Sequence, residues 1–517
     1  MIRDVLVLGG GSAGFLAAMT LKRRLPELAV TVVRSRDLGV IGVGESTTVA
    51  VPRHLHGYLD FDPAEFHRRA QPSWKLGIRF LWGPRPFFDY TFGLQLDWKW
   101  ANLSRNNGYY CEDDFTYVDL ASALMSHKKA FVRQPNGDPL IGRDFGYHID
   151  NARFVAYLED KAAGMGVVAL DDVITDVQPG EAGVTAVRLA SGATLSADLY
   201  IDCTGFRALL LGKALGEPFV SYKTTLFCDC AVASSWPRAD EVINPYTTAE
   251  TMDAGWCWQI DHPDSIMRGY VYSSAFLSDD EAEREFRAKS PRAAATRVIP
   301  FVSGRYERSW AKNVVAVGNA AGFVEPLEST SLAIICDESR LLAECLGECD
   351  RRPTPSLVDS YNRINVRAWD TIRDFLGIHY KFNTRLDTPF WRACRADVEL
   401  GPIQELVDYY RENGPSTFAR TTLLHGNDIF GMEGYLALLV GQRVPYRRRH
   451  VPSPEELRVW HGVRAENRMK ALTALSVREA LAAVTAPNWQ WVPGYFRSHS
   501  SPQPTASQLT SFIGAAG

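Results

Sequence analysis

The opening of the chain constrains its fold more than any other stretch. Val5-Leu6-Val7-Leu8 is a continuous apolar run, Gly9-Gly10-Gly11-Ser12-Ala13-Gly14 follows it directly, and a helical pattern runs from Phe15 to Leu25. An uninterrupted apolar run fits a parallel strand buried on both faces. Glycines between such a strand and a helix permit a tight turn and let a pyrophosphate approach the free amides of the helix N-terminus. An α/β nucleotide-binding fold is therefore expected, with Gly9, Gly11, Ser12, Ala13 and Gly14 as candidate pyrophosphate residues. A glycine turn with a purely structural role is the alternative. The second strand, Val30-Thr31-Val32-Val33, would normally end in an acid that holds the ribose hydroxyls, and Arg34 stands there instead. An arginine at this place can stack on adenine, pair a 2′-phosphate or simply point to solvent.

Two more kinds of corner favour a flavin over a nicotinamide. Gly42-Val43-Gly44-Glu45-Ser46-Thr47 is a second glycine-rich turn soon after the second strand, which a simple nicotinamide domain does not require. Strand-like runs also end in small-residue turns at Asp202-Cys203-Thr204-Gly205 and at Val317-Gly318-Asn319-Ala320. Corners spread over the N-terminal two-thirds are what a discontinuous FAD cradle needs, and they add Gly44, Glu45, Ser46, Gly318 and Asn319 to the cofactor candidates. A formal net charge of −4 argues against nucleic acid, whose phosphates demand a basic surface. Nine scattered cysteines without CxxC pairs disfavour zinc and a disulfide framework, so no metal is expected and a reducing cytoplasm fits best. A start without a basic-apolar leader and the lack of any long apolar run predict a soluble, unexported chain with no membrane contact.

Chemistry concentrates in Phe323-Val324-Glu325-Pro326-Leu327-Glu328-Ser329-Thr330, a carboxylate- and hydroxyl-bearing stretch that leads into a helical pattern. Helix capping by Ser329 or Thr330 is the plain explanation of that composition. Gly255-Trp256-Cys257-Trp258-Gln259-Ile260 places two indoles on one face of a strand, which serves equally for a core strand or a rigid aromatic wall. Lys75, within Trp74-Lys75-Leu76-Gly77-Ile78-Arg79-Phe80, is either a solvated lysine or, if it faces a closed cavity, an amine with a lowered pKa.

Together these segments resemble the flavin-dependent halogenases, and within them the tryptophan halogenases. Trp256-Cys257-Trp258-Gln259-Ile260 is similar to the family's WxWxIP segment, with Asp261 in place of proline; Pro326-Leu327-Glu328-Ser329-Thr330 is similar to its PLEST segment. The resemblance implies an α/β fold, in which a discontinuous Rossmann-like FAD-binding lobe of the GR2-type flavin monooxygenase kind is fused to a mainly helical substrate-capping lobe. It implies Lys75 as the catalytic lysine, Glu328 as the catalytic carboxylate with Ser329 beside it, and backbone amides at Thr330 and Ser331 for halide, although the family has glycine at the second. Trp256 and Trp258 would wall the substrate off from the flavin. Reduced FAD, O2 and chloride or bromide would yield hypohalous acid, which then reaches Lys75 and Glu328 through the protein.

Departures gather at the expected substrate pocket. Tyr90 stands where tryptophan-specific members have histidine, Phe92 lies beside it, and Gly426-Asn427-Asp428-Ile429-Phe430 replaces paired tyrosines. The aromatic segment from Leu94 to Phe131, with Trp98, Trp100, Tyr109, Tyr110, Phe115 and Tyr117, either lines an indole or phenol site or packs the lobe, and packing is favoured. His148, in Tyr147-His148-Ile149-Asp150, reads as structural rather than as a proton shuttle. The expected division is a flavin lobe over 1–345, with inserted pocket segments near 85–165 and 216–295, and a helical cap over 346–517. Helices are expected over Leu357 to Phe375, Pro402 to Glu412 and Pro454 to Val484, followed by a loose tail beyond Pro493. With one nucleotide fingerprint and no second Rossmann unit, reduced flavin would come from a separate NAD(P)H-dependent reductase. The substrate would be an electron-rich aromatic small molecule, an indole first, with free tryptophan and a larger indole or peptide substrate both left open; a homodimer is a family-level expectation. An aromatic hydroxylase is the alternative enzyme.

Overall fold

A computed structural model describes residues 1–36, 44–94, 103–105, 107–426, 428–491 and 496. Gly42, Val43, Trp98, Trp100, Asn427 and, apart from Phe496, the tail beyond Pro493 lie outside the described residues. The N-terminal strand Asp4–Leu8 is central in a six-stranded sheet, with Ala29–Arg34 and Val168–Asp171 on one side and Leu199–Asp202, Val314–Ala316 and Trp310–Ala311 on the other. All pairings are parallel except the last. Val5 and Val7 enter one core cluster while Leu6 and Leu8 enter another, so the unbroken apolar run arises because both faces are covered.

A second, seven-stranded sheet runs Arg297–Pro300, Cys230–Pro237, Ser265–Tyr272, Gly255–Asp261, Thr247–Met252, Gly77–Leu81 and Phe88–Thr91. Along Gly255–Asp261, Trp256 and Trp258 point into the larger core and Cys257 into a smaller one, as a two-residue repeat requires. The segment around Lys75 is two strands, not one. Ser73–Lys75 pairs with Gly146–Ile149, the chain bends at Leu76, and Gly77–Leu81 joins the seven-stranded sheet. This change of sheet removes the outward-facing position that simple alternation would offer, and Lys75 is fully buried.

The C-terminal third is helical, as its period predicts, with boundaries set by packing. The first long helix extends over Pro355–Phe382, and a single turn at Gly401–Ile403 precedes Gln404–Asn413. The region expected as one helix from Pro454 is Pro454–Leu472 and Val477–Thr485, separated by Leu475–Ser476, which pairs with Lys129–Arg133. Phe375, Tyr380 and Leu438 share one buried cluster with Ile78, Phe80 and Trp256; Val477 and Ala480 share another with Val5 and Phe15. Tyr109, Tyr110 and Phe115 pack in that first cluster beside Trp460. Among the described residues, these clusters of the helical part are shared with the rest of the chain.

Candidate active site

Three strand-to-glycine corners converge at the C-terminal ends of the parallel strands. A Cβ on Gly9, whose φ is +116°, would lie 2.2 Å from the Cys203 carbonyl oxygen, one on Gly10 would lie 2.1 Å from Arg34 Cβ, and one on Gly318 would lie 2.8 Å from Ile335 and 3.5 Å from Ala13. Gly11, by contrast, has open space beside it. It precedes the helix Ser12–Arg24, whose first turn carries no acidic residue and whose cap makes no side-chain hydrogen bond. Free amides, open space and no negative charge fit the pyrophosphate of a dinucleotide such as FAD. The Ser12 hydroxyl donates to Asn151 at 3.2 Å, and Asn319 sits in the short turn Gly318–Ala320. The Arg34 guanidinium is engaged by Glu159 and Asp171. Glu45–Ser46 forms a short strand against His148 and Ile149.

The chain from the third corner leads to the catalytic candidates. Neither Ser329 nor Thr330 caps the helix Ser331–Glu348 through its side chain. Ser329 instead takes a left-handed conformation, φ +59° and ψ +36°, that turns its hydroxyl toward Lys75. The Lys75 ammonium or amine donates to Ser329 Oγ at 2.7 Å, and its Nζ lies 5.0 Å from the centre of the Phe92 ring. Burial pulls the Lys75 pKa down to about 7, partly opposed by the Glu328 charge. Thr330 lines a cleft of about 220 Å³ that continues along Ala333 and Ile334 toward Ile364 and Ile429.

Glu328 has a partner that the sequence did not reveal. His379, in the last turn of Pro355–Phe382, places Nε2 2.7 Å from Glu328 Oε1, and both side chains are buried. Its Nδ1 lies 3.1 Å from the Phe375 carbonyl, which can only accept. Which ring nitrogen donates in these two contacts is set by the imidazole tautomer. Phe80 and Phe375 flank the imidazole at 5.0 and 5.4 Å between ring centres. Tyr90 is close enough for the Glu328 charge to help raise its phenol pKa, after burial, and its hydroxyl donates to the Phe430 carbonyl at 3.4 Å. Phe430 stacks on Phe375 at 3.7 Å. A lone histidine directly after the apolar run Phe375-Leu376-Gly377-Ile378 was the available signal for His379.

Glu325 is anchored behind the indole wall. Trp256 Nε1 donates to Glu325 Oε2 at 2.8 Å, the Tyr380 hydroxyl donates to the same oxygen, and Oε1 has no partner among the described residues. Burial raises this carboxyl to about 7. Trp256 and Trp258 lie 6.0 Å apart, and Trp258 covers Gly269 so closely that a Cβ there would meet the ring at 2.0 Å.

Lys75 thus touches Ser329, faces Phe92 and feels the charge of Glu328, which also acts on Tyr90. The tryptophan halogenase family model matches residues 4–454. The tryptophan 6-halogenase ThaL of Streptomyces albogriseolus is 34% identical over 449 residues, covering 80% of this chain and 83% of that protein. The tryptophan 7-halogenase RebH of Lentzea aerocolonigenes is 32% identical over 439 residues, 79% and 82% of the two chains. Among solved structures, MibH, a lanthipeptide tryptophan 5-halogenase, aligns with a TM-score of 0.87 at 40% identity, covering 94% of this chain and 93% of its own. BrvH, a flavin-dependent halogenase from Brevundimonas sp. BAL3, aligns with a TM-score of 0.80 at 30% identity, covering 94% and 100%. A family match over most of the length, on a chain whose lysine, carboxylate and glycine corners meet in this way, settles its place: it belongs to the tryptophan halogenase family of flavin-dependent halogenases.

Proposed function

We propose that the protein halogenates the indole of a tryptophan-type substrate, with Lys75 holding the halogen and Glu328 removing the ring proton. The supporting observation is the buried amine at a pKa of about 7, in hydrogen-bond contact with Ser329 and within the field of Glu328. Bound reduced FAD, with O2 and chloride or bromide, supplies hypohalous acid. Gly9, Gly11, Ser12, Ala13, Gly14, Gly318 and Asn319 would hold the cofactor, with Arg34, Gly44, Glu45 and Ser46 around its edges, and amides at Thr330 and Ser331 would hold halide at the helix start.

At neutral pH Lys75 populates both protonation states. The ammonium hydrogen-bonds the oxygen of hypohalous acid and passes it a proton, so that water leaves as the ring takes the halogen. The amine instead exchanges one N–H for N–halogen, releasing water, and its nitrogen must regain one proton when the ring takes the halogen. In both routes the ring carbon loses one proton, which Glu328 takes and returns to the Lys75 nitrogen. The neutral overall sum is arene plus hypohalous acid to halogenated arene plus water. Ring position follows from placement by Tyr90, Phe92 and their neighbours, because hypohalous acid alone selects only reactive carbons.

A tryptophan within a peptide fits better than the free amino acid. The lanthipeptide enzyme is more similar to this chain, at 40% identity, than the two tryptophan halogenases above at 34% and 32%. Reduced flavin would come from a separate NAD(P)H-dependent reductase in the cytoplasm. Among the described residues no helix is long and apolar enough to cross a membrane. A homodimer is proposed on family grounds.

Supplied with reduced FAD and bromide, the protein should give a brominated indole, read by mass spectrometry on free tryptophan, tryptophan-containing peptides and phenols. Addition of one oxygen, with or without bromide, would instead establish the hydroxylase. A second expectation concerns the wall. Glu325→Leu removes the acceptor that fixes Trp256, and product formed per reduced flavin consumed should fall about tenfold while flavin oxidation continues. Unchanged coupling would show that Trp256 stays in place without its anchor.

A further inference from the structure

The Lys75–Ser329 contact is the end of a longer chain of hydrogen bonds. Ser329 Oγ lies 3.1 Å from Ser46 Oγ, Ser46 Oγ lies 2.7 Å from Thr247 Oγ1, and Thr247 Oγ1 lies 2.9 Å from His148 Nε2. His148 Nδ1 faces the Asp261 carbonyl at 3.3 Å. Each hydroxyl has one proton to give, so the direction of every bond depends on its neighbour. The direction is fixed at the far end. A carbonyl cannot donate, so His148 Nδ1 must. Burial pushes the His148 pKa well below its ordinary value, with Lys75, His262 and Arg238 adding to the effect, so the ring is neutral and Nε2 is an acceptor. Thr247 then donates to His148, Ser46 to Thr247 and Ser329 to Ser46. Ser329 is left with only a lone pair for Lys75.

We propose that His148, acting through Thr247 and Ser46, is a positioning residue that holds Ser329 as an acceptor and so keeps the lone pair of the Lys75 amine free for halogen. Run backwards, the chain would aim the Ser329 proton at that lone pair and occupy it. The Asp261 carbonyl that sets the direction is itself held. It also accepts from Ser73 Oγ at 2.6 Å, while the Asp261 carboxylate is fixed by Arg238 and by Asn244 at 2.9 Å. Ser73, Lys75 and His148 belong to paired strands, with Ser73 opposite His148 and Lys75 opposite Gly146, so the relay is built on one small sheet. His148 is not a proton store, because its burial opposes the charge that storage would create. The proposal rests on Lys75 as the halogen carrier.

Thr247→Val, nearly isosteric, cuts the relay without touching the histidine. The groups facing Lys75 are Glu328 and the Ser329 hydroxyl, and those facing His148 are Lys75, His262 and Arg238. With Ser329 free to donate, the amine form of Lys75 is favoured over the ammonium. The pH profile of kcat should therefore lose about tenfold or more of its plateau, and its acid limb, expected near the Lys75 pKa of about 7, should move to lower pH. Thr247→Ser, which restores the hydroxyl, should recover both. A purely structural role would lower the melting temperature without moving the limb. Nitrogen NMR of labelled histidine in the wild-type protein gives a test that needs no variant: His148 should stay protonated at Nδ1 and bare at Nε2 between about pH 6 and 9. An Nε2-protonated tautomer, or a Thr247→Val protein with the wild-type plateau and limb, overturns the relay. Retained halogenation in Lys75→Met would overturn the carrier itself, which is a separate result.

Discussion

Lys75→Met is expected to lower aromatic halogenation by on the order of 10³-fold while oxidation of reduced flavin continues. Methionine fills a similar volume, so the site keeps its shape and loses the group that binds halogen. The hypohalous acid would then escape, and its appearance in solution, measured with a small thiol or amine trap, should account for the missing product. The same variant should melt at higher temperature near pH 7. A lysine held at about 7 in the folded protein, against 10.5 when unfolded, refuses a proton that the unfolded chain accepts. That cost is absent above pH 10.5, grows as pH falls toward 7 and is constant below it. At about 1.4 kcal/mol per pH unit it reaches roughly 5 kcal/mol, from which the lost bond to Ser329 takes back about 1–3 kcal/mol. The gain in melting temperature over wild type should therefore shrink as the measurement is moved from pH 7 to pH 10. A Lys75→Met protein that melts lower throughout would mean that the amine is not held in a desolvated site.

Glu328→Gln should cost about 10²–10⁴-fold in kcat with little change in KM, since the amide preserves the packing but cannot take a proton. The His379 geometry sharpens this expectation. A glutamine amide can donate to or accept from His379 Nε2 at the same 2.7 Å contact, so the packing of the pair survives while the proton acceptor is lost. A pre-deuterated indole carbon separates the possibilities. If proton removal by Glu328 becomes rate-limiting in the variant, a primary isotope effect should appear there that is smaller in the wild type. Wild-type kcat in Glu328→Gln would transfer the base role to another group.

The fold was legible where residues act locally. Val5 to Leu8 with its glycines, and the paired indoles of Trp256 and Trp258, state their strand faces in their own period. The sheet change at Leu76 was not legible, because it depends on where Pro245 offers its carbonyl to the Leu76 amide, at 2.7 Å. Without that bend Lys75 reads as one more alternating strand residue. The site shows the same division. Glu328 and Ser329 announced themselves as neighbours of a helix start, whereas Thr247, His379 and Tyr380 carry no motif and acquire roles only through contacts across the fold. Ser329 illustrates the point: composition makes it a helix cap, and the left-handed backbone at φ +59° makes it the acceptor for a lysine far away in sequence. His148 was read as structural, and its buried contacts suit a residue that directs protons without holding one.

The most direct test asks whether the halogen is carried by the protein after the oxidant has been made. Reduced FAD, O2 and bromide are mixed with the protein in the absence of any aromatic, small molecules are removed by rapid desalting, and tryptophan peptide is then added. Up to one brominated product per chain from the wild type, and none from Lys75→Met, is the predicted result. Equal yields from both proteins, or product only when reduced flavin is added again with the peptide, would contradict it.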